Sequence, residues 1–336
     1  MKKVKRLEKG DTVAVMSLSR GLPKLFPKVY ETGIRNLEKM GLKIKEYPTT
    51  KKSINYLHSH PEKRAEDINN AFMNKEIKGI FTSIGGEDSI RILPYINPKI
   101  IKNNPKLFMG FSDTATTNIY FNTLGIITFN GPSIMAGIAQ MNNITDYQEN
   151  FKKFLFEKWS TFSYKPFTTY SDGYANWSIK ANKFKKIKKS GPWNWGKGKA
   201  TGELFGGCIE VLNFINGTKY WPKKSFWNKK ILFIETSEEK PSPDYVKYTM
   251  RNFAVQGVLD KISGLLVGRA RNYNPSEKEK LDYNIKLVLK EFNLDLPLVT
   301  NMDFGHTDPQ HILPLGAKAS IDCEKKEFKL NESPFL

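Results

Sequence analysis

Residues 106–121, KLFMGFSDTATTNIYF, decide how the rest of the chain reads. Leu107–Phe111 is a short apolar run bounded on one side by Pro105, and it passes without a turn signal into Ser112 and a helix-forming stretch of small and polar residues. A strand that feeds a helix in this way is half of a βαβ unit. Further strands are expected at Thr12–Ser17, Lys43–Tyr47, Gly79–Ile84 and Ile126–Phe129. Between the first two, Phe26, Val29, Tyr30, Ile34, Leu37 and Met40 recur at helical spacing, and Gly41 follows where a helix C-terminus favours glycine. Another helix starts at Pro61, whose missing N–H costs nothing there, with Ala65, Ile68, Ala71 and Phe72 as its apolar stripe. The alternation predicts a parallel sheet with helices on its faces.

Tyr147–Trp159 reads as one more amphipathic helix, and beyond it the periodicity lapses. A linker is expected here. It carries the basic run KFKKIKKS, residues 183–190, and the aromatic turn GPWNWGKGK, residues 191–199. From Thr201 the chain reads as mixed α/β, with a helix at Gly207–Ile215, a strand at Ile231–Glu235, a helix from Pro243, a strand at Leu265–Val267, a helix from Ser276, a strand at Leu298–Asn301 and β-like alternation from His311 to Leu330. The expected organisation is an N-terminal parallel-sheet α/β domain over 1–160, a linker and aromatic loop over 161–200, and a C-terminal mixed α/β domain over 201–336.

The composition sets limits. The chain has 336 residues, 39% of them hydrophobic and 26% charged, which fits a folded globule large enough for two cores. Its two cysteines, Cys208 and Cys323, are too few for a disulfide framework and lack a zinc or redox spacing, so both are expected reduced. No leader-like apolar run precedes Thr12 and no run approaches ~18 apolar residues, so a cytoplasmic protein without a membrane span is expected. The formal charge of +19 admits nucleic acid as a partner, with residues 183–189 as its best support. No RRM, helix-turn-helix or zinc-finger pattern accompanies that charge.

Four places carry candidate chemistry. Ser112, at a strand-to-helix turn, is either a simple N-cap or an exposed hydroxyl beside helix N-terminal donors. Glu235 ends a buried-looking strand; it is either a carboxylate placed to orient an imidazole or a solvated residue beside Glu238 and Glu239. His306 sits in NMDFGHTDP just past a strand, where open parallel sheets put their sites, whereas His58 and His60 read as exposed loop. Gly85 and Gly86, in SIGGEDSIRILPYI, allow a tight turn with accessible N–H groups, or are an ordinary glycine turn.

In combination, GFSDT at Ser112, FIETSEE at Glu235, DFGHTDP at His306, SIGGEDSIRILPYI and TGELFGGCIEVL resemble the L,D-carboxypeptidase family of serine peptidases over nearly the whole chain. The resemblance implies a nucleophile Ser112, a base His306 and an orienting Glu235, set in a cleft between two α/β domains. It implies an oxyanion hole from the backbone of Asp113 and of the Gly85–Gly86 turn, with Gly86 as donor, and a homodimer. Neither a cofactor nor a metal is implied. The glycine turn, ETSEEKPSP and the PWNW turn look more like the microcin C immunity branch, which cleaves aminoacyl-nucleotide conjugates, than the branch that trims D-alanine from murein tetrapeptides. Trp193 or Trp195 would then stack on a nucleobase near Lys197 and Lys199, or else pack the linker. Cys208 stands where the family often carries Asn; a buried thiol is its simplest reading. Arg91, Arg269 and Lys240 are candidates for a substrate carboxylate. The expected partner is a small peptide or aminoacyl-nucleotide, not a specific nucleic acid or a membrane; a catalytically inactive basic binding protein is the alternative of another class.

Overall fold

The computed structural model describes residues 1–180 and 182–336. In its first half β1 (Thr12–Met16), β2 (Lys43–Glu46), β3 (Ile77–Thr82), β4 (Leu107–Gly110) and β5 (Thr128–Asn130) form a parallel sheet in the order β5-β4-β3-β1-β2. β4 and β5 are buried along their length, as strands covered by helices on both faces must be. β2 is the exposed edge, and Lys43, Lys45 and Glu46 keep it soluble. Pro27–Lys39 buries Val29, Tyr30 and Leu37, and Pro61–Met73 buries Ala65, Ile68, Ala71 and Phe72. The chain turns in opposite directions away from β1, so the carboxyl ends of β1 and β3 flank a crevice.

The second half is built on an eight-stranded sheet. Two short strands of the segment read as a linker, β6 (Phe162–Tyr164) and β9 (Asn194–Trp195), lie at its two edges, while β7 (Thr169–Tyr170) and β8 (Lys188–Lys189) pair separately. The parallel centre is β10 (Lys199–Cys208), β11 (Lys230–Glu235), β12 (Gly264–Gly268) and β13 (Leu298–Met302). β14 (Leu313–Leu315) leaves this half and pairs antiparallel with β5, so it completes the N-terminal sheet. β15 (Lys318–Asp322) and β16 (Glu327–Leu330) then return to β10 and β6.

The structure alters two expectations. Gly207 and Cys208 are the end of a ten-residue strand, and the helix begins only at Ile209. Gly206 explains the difference, because a Cβ there would lie 1.7 Å from the Phe233 carbonyl oxygen; the glycines serve close strand approach rather than a turn. The segment 161–200 also docks on both edges of the sheet, through pairs too short to show as periodicity.

Candidate active site

Ser112 leaves β4 with φ 59, in the left-handed region that a side chain enters at a cost of about 1–3 kcal/mol. The turn Ser112–Thr114 passes directly into the helix Ala115–Thr123. This geometry pushes the hydroxyl out at the carboxyl end of the sheet, and no side-chain cap bond forms at the helix start. The simple N-cap reading therefore does not hold.

The glycine turn packs directly on this hydroxyl. A Cβ at Gly85 would lie 2.9 Å from Ser112 Oγ and 3.3 Å from the Asp113 nitrogen. Its position is fixed from both sides. Arg64, fully buried, donates from Nη1 and Nη2 to the two Asp88 oxygens at 2.7 and 3.1 Å. The Asp113 carboxylate accepts the Ser89 N–H at 2.8 Å, and burial pushes its carboxyl above the usual range. Seven residues of 3-10 helix, Ser89–Tyr95, follow the turn.

His306 reaches Ser112 from the other half. Its Nε2 is 3.0 Å from Ser112 Oγ, and its Nδ1 is 2.6 Å from Glu235 Oε2. Glu235 is the last residue of β11, which points it at the loop after β13. Gly305, at φ +93, gives it room: a Cβ there would fall 2.5 Å from Oε2. All three residues are buried, and Phe111 packs edge-on against the imidazole at 5.0 Å. Burial alone drives the ring toward neutrality, but the charge of Glu235 and its hydrogen bond, with a second carboxylate at Glu238, outweigh it and leave the imidazole pushed up to about 10. A hydroxyl, an imidazole and a carboxylate in series can move a proton off oxygen and hold the resulting charge.

Cys208 Sγ, Glu235 and His306 also lie within 4.8 Å of one another, a spacing that could hold a metal. Both ring nitrogens are engaged, with Glu235 and with Ser112, and burial, then the charges of Glu235 and Glu210, pushes the Cys208 thiol far above its usual range.

A cavity of about 180 Å³ opens at Ser112, lined by Gly85, Gly86, Phe111 and His306 and closed by Tyr174, Trp177, Arg20, Arg271 and Glu238. These last five were not legible as site residues. Tyr174 and Trp177 lie in the stretch without periodicity, where an aromatic pair outside any motif gives no signal.

The expected tryptophans are displaced. Trp193 is 3% exposed and donates its indole N–H to Asp303 at 2.7 Å, and Trp195 sits on the edge strand β9. Neither lines the cavity, so stacking on substrate is corrected to packing. Lys199 is at the opposite end of β10 from Cys208, about 30 Å away at ~3.3 Å per residue, and it pairs with Asp322. The three cations proposed for a carboxylate are likewise engaged: Arg269 with Asp303, Lys240 with Glu277 and Arg91 with Asp88.

Comparison with known proteins places both halves of the chain in one family. Residues 13–131 match the family model described as LD-carboxypeptidase N-terminal domain, and residues 201–321 match the LD-carboxypeptidase C-terminal domain. The chain is 29% identical to the microcin C7 self-immunity protein MccF of Escherichia coli, over 96% of this chain and 94% of that one. It is 28% identical to a probable murein peptide carboxypeptidase of Bacillus subtilis, over 96% and 92%. The structure of MccF in complex with aspartyl sulfamoyl adenosine superposes with a TM-score of 0.90 at 27% identity, covering all of both chains.

Proposed function

The chain belongs to the LD-carboxypeptidase family, and from that premise we propose that its serine-type carboxypeptidase activity runs through Ser112, His306 and Glu235 on aminoacyl-nucleotide substrates of the microcin C kind. The observation that carries the reading is the unbroken series Ser112 Oγ, His306 Nε2, His306 Nδ1 and Glu235 Oε2, at 3.0 and 2.6 Å, at the rim of a cavity.

In the first step Ser112 gives its proton to Nε2 as Oγ attacks the acyl carbon. The N–H groups of Gly86 and Asp113 meet the negative oxygen, each such donor being worth about 2.7–4 kcal/mol in known hydrolases. The tetrahedral adduct collapses, the imidazolium protonates the departing nitrogen, and an ester to Ser112 remains. Water then repeats the sequence and releases the acyl group. Glu235 keeps the proton on Nδ1 throughout, so that Nε2 is the nitrogen that works.

The aromatic cavity supports the nucleotide part of this reading. Tyr174 and Trp177 offer faces to a base, and Arg20 and Arg271 offer guanidiniums to an anionic linkage. MccF has been captured with aspartyl sulfamoyl adenosine, a ligand of the same chemical type. The biological role that fits is resistance to such conjugates, exercised by a cytoplasmic homodimer. No helix among the described residues is long and apolar enough to cross a membrane.

The test is Ser112→Ala with an aminoacyl-sulfamoyl adenosine: hydrolysis should vanish, and undiminished turnover would sink the assignment. Offering the purified enzyme a murein tetrapeptide beside that substrate decides between the two chemistries found among its relatives. Faster release of D-alanine would move the reading to wall peptides.

A further inference from the structure

Ser112 stands between two cavities. The second, about 480 Å³, shares Arg20, Gly86, Ser112 and Glu238 with the aromatic one and is otherwise walled by Glu87, Glu210 and Glu239 together with uncharged residues. In a chain of formal charge +19, four carboxylates against one guanidinium make a local inversion of sign. Two of the four are already satisfied. Arg20 pairs with Glu87 at 2.6 Å, and Ser237 donates its hydroxyl to Glu210 at 2.5 Å. Glu238 and Glu239 remain.

Glu238 is tied to the chemistry itself. Its Oε2 is 3.0 Å from His306 Nε2, the nitrogen that also lies 3.0 Å from Ser112 Oγ. A base that is to accept the serine proton needs a lone pair there. A carboxylate at that distance favours an N–H instead, and with Glu235 on Nδ1 the ring is held doubly protonated between two anions. In this arrangement Nε2 lacks the free lone pair that the serine proton needs. Glu238 differs from Glu235 in being able to leave: its side chain is 47% exposed, on the loop that follows β11, whereas that of Glu235 is 0% exposed.

We infer, on the hydrolase reading above, that Glu238 couples substrate charge to catalysis: an ammonium group on the acyl half of the substrate, seated in the acidic cavity, draws Glu238 off His306, so that the Nε2 proton, no longer held between two anions, passes to solvent water and leaves the lone pair that accepts the serine proton. The other charges around Glu238 fit this order of events. Arg20 and Arg271 face it from the loops after β1 and β12, Tyr174 lines the same cavity, and Glu239 adjoins it. An anionic linkage would engage Arg271 and share Arg20 with Glu87, which leaves the ammonium as the partner for Glu238. An α-ammonium lies two bonds from the attacked carbon, and a side-chain ammonium would reach deeper into the same cavity.

The experiment reads the base directly. Labelling of Ser112 by an uncharged fluorophosphonate is followed against pH in the wild type, Glu238→Gln and Glu239→Gln. Below its titration midpoint His306 is protonated and cannot accept, so labelling rises with pH. The wild-type midpoint should lie well above 6.5, and Glu238→Gln should lower it by at least about one unit, which speeds labelling near pH 7 about tenfold; Glu239→Gln should not move it. Aminoacyl-sulfamoyl adenosines with free and with acetylated amines supply the second readout. Wild type should favour the free amine about tenfold or more in kcat/KM, and Glu238→Gln should lose that preference. Coincident labelling profiles, or a preserved preference in Glu238→Gln, would overturn this inference alone. Failure of wild-type Ser112 to label at any pH would overturn the hydrolase reading beneath it.

Discussion

Glu235→Gln tests the proposed chemistry with the least change in shape. The carboxylate lies 2.6 Å from His306 Nδ1 with both side chains buried, so water screens the contact little. The imidazole pushed up to about 10, against about 6.5 when free, prefers its charged form by about 5 kcal/mol at 1.36 kcal/mol per pH unit, and Glu235 and Glu238 share that preference. Glu235 is the larger contributor and the one that stays during turnover. Its loss should remove the larger part of the stabilisation of the imidazolium formed as Ser112 gives up its proton, and glutamine also permits the wrong tautomer. The expected fall in kcat is about 10²–10⁴-fold. KM should change little, because Glu235 borders neither cavity. Steady-state hydrolysis of an aminoacyl-sulfamoyl adenosine at pH 8 measures both, with circular dichroism to verify the fold. A kcat within fivefold of wild type, or a loss confined to KM, would refute the role given to Glu235.

Trp177→Ala should raise KM for an adenosine-bearing substrate by about 5–150-fold, the equivalent of about 1–3 kcal/mol of stacking, whereas Trp195→Ala should leave KM unchanged. Asp303→Ala strands a buried Arg269, now paired at 2.6 Å, and frees the indole N–H of Trp193; denaturant unfolding should show a loss of about 3–5 kcal/mol. The His306 pairs also contribute stability, and because its folded value is raised, that contribution is complete below about pH 6.5 and disappears as pH rises through about 10. Melting temperature should therefore decline over that window, less steeply in Glu235→Gln; parallel declines would contradict the link.

The parallel sheet was legible because each strand is short, apolar and separated from the next by a helix with its own stripe; Thr12–Met16 and Leu107–Gly110 lie within a residue of where the pattern puts them. Ser112, Glu235 and His306 were legible through motifs at strand ends, yet their meeting was not, since it depends on two sheets that share no local sequence. β10 was not read as a strand: its last three residues contain two glycines, which propensity assigns to turns and which packing against β11 requires. The tryptophans show the reverse error. PWNW is conspicuous in the sequence, but conspicuous aromatics are as useful to a core as to a ligand, and only burial separates the two. Glu238 is the most informative omission. Beside Glu239 it reads as solvent-facing charge, and nothing in one dimension shows that its carboxylate meets a histidine 68 positions later.

The strand swap at β14 bears on how this protein is made. A ribosome delivers Ser112 long before Glu235 or His306, and the sheet that carries Ser112 keeps an open edge at β5 until Leu313–Leu315 have been synthesised. A nascent chain thus holds an inert alcohol. The proposed triad can assemble only after His306 has been synthesised, and a chain ended before residue 313 lacks the strand that covers β5.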